Sequence, residues 1–214
     1  RMKVQESDSL CFAVGPEAAL AAVARAGDLR RLGEEGILIR RSGGSVILTG
    51  APGAPRGTLY AVFVFLERVL GCRWWTPLED YVPGGVRRIP KTLEIREAPA
   101  FESRYTDYRQ RSDDPKWYAA NLMNPELPQE WGGGRRYAGF VHTMIGALIP
   151  KDKVAAHPEW QAVVDGKPNP DQLCLSRPEV LSEMISQVRR VLRANPGADI
   201  VTVSQMDNYV FCRC

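Results

Sequence analysis

The stretch TLYAVFVFLERVLG, from Thr58 to Gly71, constrains the fold more than any other. Leu59, Val62, Phe63, Leu66, Val69 and Leu70 recur at helical spacing, and most residues between them are apolar too. Such a helix has little face to give to water and must be sandwiched against a sheet. Thr58 is its expected cap and Gly71 its expected end. Upstream, GILIRRSGGSVILTG sets two β-rich arms around Ser42-Gly43-Gly44-Ser45, which predicts a tight hairpin. The alanine-rich GPEAALAAVARAGD, with proline at one end and Gly27 at the other, predicts a short helix. CRWWTPLEDYVP reads as an irregular aromatic loop, and TLEIRE as a strand leaving the layer. Residues 1–97 are thus expected to form a small α/β sandwich.

From Ala98 the rhythm changes. FESRYTDY and YAGFVHTM read as strands, with a helix from DDPKWYAANLMN between them, and a long connection rich in Pro and Asp follows. Ser176-Arg177-Pro178-Glu179 has the spacing of a capping box and opens a helix whose core face is Val180, Met184, Ile185, Val188 and Leu192. Asn195-Pro196-Gly197 stops that helix, and IVTV reads as a strand buried on both faces. Alternating strands and helices with long loops after the strands are the opening of an α/β unit on parallel strands. In an eight-fold barrel the functional residues sit at the carboxyl ends of such strands. Residues 98–214 are less than half of the ~250 that a complete (β/α)8 barrel takes, so the expectation is the first third of one, truncated.

The totals narrow the function classes. The 214 residues are 44% hydrophobic, enough for a sizeable core. A net charge of +3, evenly spread, argues against nucleic acid and against a membrane surface. The longest strongly apolar run, Leu59 to Leu66, is well short of the ~20 residues of a membrane span. The first residues, Arg1-Met2-Lys3, lead into no long apolar run, so no signal peptide is expected in this chain. Five cysteines show no disulfide-framework spacing, and Cys11, Cys72 and Cys174 read as buried small hydrophobes. Cys212-Arg213-Cys214 suits a zinc ligand pair or a loop disulfide, but no C-x-x-C or H-x-x-x-H partner accompanies it. Gly132-Gly133-Gly134 lacks the setting of a phosphate loop, and there is no G-x-S-x-G elbow. No cofactor is indicated.

Several separated stretches carry a resemblance. GEEGILIRRSGGSVILTGAPGAPRGTLYAVFVFLERVLGCRWWTP resembles the small domain that precedes the catalytic barrel in hexosaminidase-like and α-glucuronidase-like glycoside hydrolases. HPEWQAVVDGK, QLCLSRPEV and VTVSQMDNYVFCRC resemble glycoside hydrolase family 163, also classed as domain of unknown function family 4838. The resemblance runs from about Phe12 to Cys214. It implies an endo-β-N-acetylglucosaminidase that acts on N-glycans by a retaining, substrate-assisted mechanism, secreted or periplasmic, with an oligosaccharide or glycoprotein glycan as partner. Met206 stands where the family has asparagine, and the third cysteine that usually follows the cysteine pair is missing.

Glycoside hydrolysis needs two carboxyl groups, or one acid and the substrate's own acetamido group. Asp207 is the one carboxylate at an expected barrel-strand end with polar companions, and reads either as a member of the site or as a local cap. The family's acids are expected on later strands, so these 214 residues alone should be inactive. Arg104 can grip sugar hydroxyls bidentately or serve as a buried salt-bridge partner; the related hexosaminidases imply the sugar role. Asp107, Tyr108 and Arg109 share its loop. His142 closes the second expected strand, where it is either structural or a partner for a substrate hydroxyl. Arg104, Tyr108, His142, Gln205 and Asn208 are therefore the candidate substrate-binding residues, and Asp207 the candidate catalytic one. His157 reads as a helix terminus and Trp160 as core. The alternatives are an α-glucuronidase-type hydrolase, in which Arg104 meets a uronic carboxylate, and a non-catalytic carbohydrate-binding module.

Overall fold

The computed structural model describes residues 10–22, 25–85, 87–106 and 114–214. They fall into two compact units, divided between Gly134 and Arg135. In the first unit the strands β1 (Cys11–Val14), β2 (Ile37–Ser42), β3 (Ser45–Thr49) and β6 (Glu94–Glu97) form one sheet in the order β1-β3-β2-β6. The two-glycine turn closes the β2–β3 hairpin as expected, with Ser42 opposite Ser45 and Ile39 opposite Leu48. β1 runs parallel to β3, and β6 pairs antiparallel with β2 at the other edge, so TLEIRE completes the sheet rather than leaving it.

Both faces of this sheet are covered, which explains its nearly continuous apolar strands. Ile37, Ile39, Val46 and Leu48 pack against Tyr60, Ala61, Val64 and Phe65. Leu38, Ile47 and Ala13 pack against Ala19, Leu29 and Leu32 on the other side. Those last three belong to or adjoin two short helices, α1 (Pro16–Ala21) and α2 (Ala26–Arg30). Gly27 therefore lies inside α2 instead of ending a single helix.

The apolar helix is indeed sandwiched. α3 (Pro55–Val64) continues into a π-helical turn over Phe65–Val69, and Gly71 follows at φ +84°. It starts at Pro55, not at Thr58. The Thr58 hydroxyl instead accepts a hydrogen bond from the Gly50 N–H at 3.1 Å, tying the helix to the strand that precedes it. The approach is close enough to require glycine: a methyl on Gly57 would lie 2.6 Å from the Gly36 carbonyl oxygen, and one on Gly50 2.6 Å from Gly57 Cα. The outer side of α3 meets α4 (Pro115–Ala120), where Phe63 packs with Ala119 and Ala120 and stands edge-on to Trp74 at 5.2 Å. Asp114 caps α4 by accepting from the Lys116 N–H. Trp74 lies in β4 (Arg73–Thr76), which pairs with β5 (Glu79–Tyr81), so the expected irregular aromatic loop is a hairpin. No strand forms over 101–106; the remainder of FESRYTDY lies outside the described residues.

In the second unit β7 (Tyr137–Ala138) and β10 (Ile200–Val201) pair in parallel, each much shorter than the stretches YAGFVHTM and IVTV suggest. Between them come α5 (Lys151–Ala156), the hairpin β8 (Gln161–Val164) and β9 (Lys167–Leu173), and α6 (Pro178–Ala194). The hairpin lies within what reads as a long connection rich in Pro and Asp. His157 ends α5 and Trp160 is buried, both as expected. α6 has Arg177 at its cap with Pro178 in the first position and no side-chain cap bond, so Ser176 does not close a capping box. Its core face is narrower than the periodicity predicts. Val180 and Met184 are buried, Val188 packs at the margin, and Ile185 and Leu192 are exposed. The architecture is mixed α/β, and no barrel closes among the described residues.

Candidate functional site

Two polar constellations emerge, one in each unit. In the first, Glu35 is 7% exposed and accepts hydrogen bonds from Arg56 Nε at 2.8 Å, Arg104 Nη1 at 2.9 Å and Asn124 Nδ2 at 2.8 Å. Arg104 also donates to the carbonyls of Leu122 and Phe101 and to the Tyr60 hydroxyl. Asn124 closes the ring by accepting from the Arg104 backbone N–H. Burial alone would raise the Glu35 carboxyl; the hydrogen bonds of Arg104 and Asn124 and the charges of Arg104 and Arg56 outweigh it and hold the group below its ordinary range. Burial, reinforced by the Glu35 charge, pushes the Tyr60 phenol up to about 12. Arg104 is thus a salt-bridge partner of Glu35, and it also borders a cavity of about 340 Å³ with Glu35, Tyr60 and Arg68. Tyr108, with Asp107 and Arg109, lies outside the described residues.

The second constellation lies at the carboxyl ends of β7 and β10, and is built by backbone geometry. After β7 the chain turns at Gly139, φ +77°, where a methyl group would come within 2.9 Å of Thr143 Cγ2. His142 also adopts a left-handed conformation, φ +54°, uncommon outside glycine. That turn points Thr143 inward. Its buried hydroxyl donates to the Thr202 carbonyl at 2.9 Å and accepts from the Ser204 N–H at 2.9 Å, while the Met144 N–H donates to the Ser204 carbonyl. The segments following the two strands are thereby laced together past the ends of the ladder. His142 Nδ1 lies 3.3 Å from the Gln205 carbonyl, and both side chains are exposed.

The rest of the rim is tied to β9. Gln172, 7% exposed, exchanges hydrogen bonds with the Met206 backbone, donating to its carbonyl at 2.6 Å and accepting from its N–H at 3.3 Å. Asn208 accepts from Gln172 and from the Val210 N–H, and donates to the Asp171 carbonyl. Asn208 is therefore a brace of the loop, and Asp207 beside it is an exposed carboxylate. The Met206 side chain packs toward the core around Trp160. His142, Gln205 and Asp207 offer solvent an imidazole, an amide and a carboxyl group, a set suited to hydrogen-bonding hydroxyl-rich ligands. Thr143 and Gln172 do the positioning, and sequence reasoning missed both: a threonine after the histidine and a glutamine inside a strand carry no periodic or motif signal.

One further cluster joins distant residues. Cys174 is buried immediately after β9, and its sulfur lies 3.6 Å from that of Cys214. The Cys212 sulfur accepts from the Val163 N–H at 3.2 Å. That bond leads the influences that bring the Cys212 thiol down to about 7, whereas burial pushes Cys174 up. Cys11, expected to be buried, is exposed on the edge strand β1.

No curated protein and no solved structure matches the chain. One family profile does, over residues 74–214, a span that takes in the β4–β5 hairpin, α4 and the whole second unit. The chain belongs to the family described as Domain of unknown function (DUF4838).

Proposed function

We propose that this chain is part of a glycoside hydrolase of family 163 that cleaves β-N-acetylglucosaminyl linkages in N-glycans, and that residues 98–214 are the opening of the catalytic (β/α)8 barrel. The observation that carries the reading is the contact of His142 with Gln205, and of Thr143 with Ser204, just beyond the carboxyl ends of a parallel strand pair, with Asp207 two residues further along the chain, the position at which barrel enzymes hold their substrates. The VTVSQMDNYVFCRC and QLCLSRPEV motifs support it, because they contain Asn208 and Gln172, which help to brace this rim. Residues 1–97 serve as the accessory α/β domain. His142 and Gln205 hydrogen-bond sugar hydroxyls; the retaining, substrate-assisted chemistry draws its nucleophile from the substrate's acetamido group. A secreted or periplasmic setting goes with a glycoprotein substrate.

A barrel of eight units exceeds this length, so the activity belongs to a longer polypeptide and is tested there. That polypeptide should release N-glycans from a glycoprotein, and His142→Ala and Gln205→Ala should each lower kcat/KM about tenfold, the worth of one hydrogen bond of about 1–1.5 kcal/mol. Cleavage of glucuronoxylan oligosaccharides instead, or no glycan release at all, overturns the proposal.

A further inference from the structure

We propose that Cys174, Cys212 and Cys214 form a binding site for one thiophilic divalent cation, zinc above all. The three sulfurs all lie within 4.8 Å of one another, with Cys174 and Cys214 3.6 Å apart. Tetrahedral zinc with sulfur at about 2.3 Å sets its ligand sulfurs about 3.8 Å from each other, so one ion accommodates all three with small adjustments. A disulfide would need a separation near 2.05 Å and would leave the third thiol unused.

The frame around the sulfurs is built before any ion arrives. The Cys174 N–H donates to the Trp160 carbonyl at 2.8 Å, which fixes the first ligand on the end of β9. The Arg213 N–H donates to the Val163 carbonyl at 2.8 Å, and the Val163 N–H donates to Cys212 Sγ, so β8 grips the Cys-x-Cys segment from both directions. A backbone N–H directed at a ligand sulfur is the kind of outer contact that orients metal-bound thiolates. No fourth His, Cys or carboxylate joins the group among the described residues, and Cys214 is exposed. The fourth position is therefore open to water or to a further ligand. The bound ion fastens the segment that bears Gln205, Asp207 and Asn208 to the β8–β9 hairpin, and this inference stands whether or not the rim binds sugar.

The test is metal content. The natural polypeptide that contains this sequence, purified under reducing conditions without chelator, should carry zinc, and Cys174→Ser, Cys212→Ser and Cys214→Ser should each lose one equivalent per chain. Cys11→Ser and Cys72→Ser should lose none. Replacement by cobalt should give the intense thiolate-to-cobalt absorption in the near ultraviolet, diminished in each of the three variants. Cys214 is exposed, so its serine variant keeps the fold, and circular dichroism checks this. Equal zinc in Cys214→Ser and the parent overturns the proposal, as does a reduced parent that neither retains nor takes up one equivalent.

Discussion

The two units are held together by different means. In the first, helices cover both faces of a four-stranded sheet, and the charges that must be buried satisfy one another around Glu35. In the second, the core gathers around Trp160, Val180 and Met184, and the parallel strands pair over only two residues each. Leu181, Ile185 and Leu192 of α6 stay exposed, as do Val203 and Phe211 beyond β10. The difference teaches that the first unit leaves no large apolar side chain of its central helix α3 exposed, whereas α6 of the second exposes three; away from those helices both units leave some, such as Leu78 and Phe101 in the first, open to solvent.

Breaking the Glu35 cluster should have the largest effect. Glu35→Ala leaves Arg56 and Arg104 without their shared counter-charge and should destabilise the first unit by about 3–5 kcal/mol, read by urea unfolding. The same carboxyl makes that unit acid-sensitive. Its value in the fold is held below the ordinary 4.5, so its contribution is complete above 4.5 and is lost as pH falls through the lowered folded value. A Glu35→Gln variant should lose that pH dependence; an unchanged slope would remove the carboxyl from the account. In the second unit Met184→Ala should cost about 2–4 kcal/mol through the cavity it leaves. A cost below about 1 kcal/mol would mean that this core is less tightly packed than its burial suggests. The smallest effect belongs to the exposed face: Leu181→Gln and Ile185→Gln should shift the stability of these 214 residues by no more than about 0.5 kcal/mol. The same two changes in a longer natural polypeptide should cost more if further chain covers α6, and that contrast measures the mismatch directly.

Legibility followed the reach of the signal. The β2–β3 hairpin was plain because two glycines stand between apolar arms, and α3 because an all-apolar helix has one resolution. Near-misses came where local chemistry had two solutions. Pro178 allows a helix start without Ser176 as cap, and Pro168 and Pro170 disguised β9, although Asp165 and Gly166, at φ +49° and +74°, form its turn. A hairpin strand with one partner tolerates prolines that a central strand would not. Tertiary partnerships were invisible. Glu35 drew no notice in the run GEEG, yet it pairs with arginines 21 and 69 positions away. Cys174 reads as a small hydrophobe, and its burial bears that out; what the spacing could not reveal is that its sulfur neighbours stand about forty residues further on. Arg104 had two readings, and its pairing with Glu35, 69 positions away, could not be seen from its own neighbours in the sequence.

The glycine crossing at Gly36, Gly50 and Gly57 carries a consequence for how this protein can change over time. Any methyl added there runs into peptide atoms, with the Leu32 carbonyl oxygen 2.0 Å from a side chain on Gly36. Elsewhere in a core, a clash can be relieved by trimming the opposing residue. Here the opposing atoms are main chain, common to all twenty amino acids, so no second substitution can make room. A saturation scan should find these sites intolerant in every genetic background, a fixed point about which the remaining sequence is free to drift.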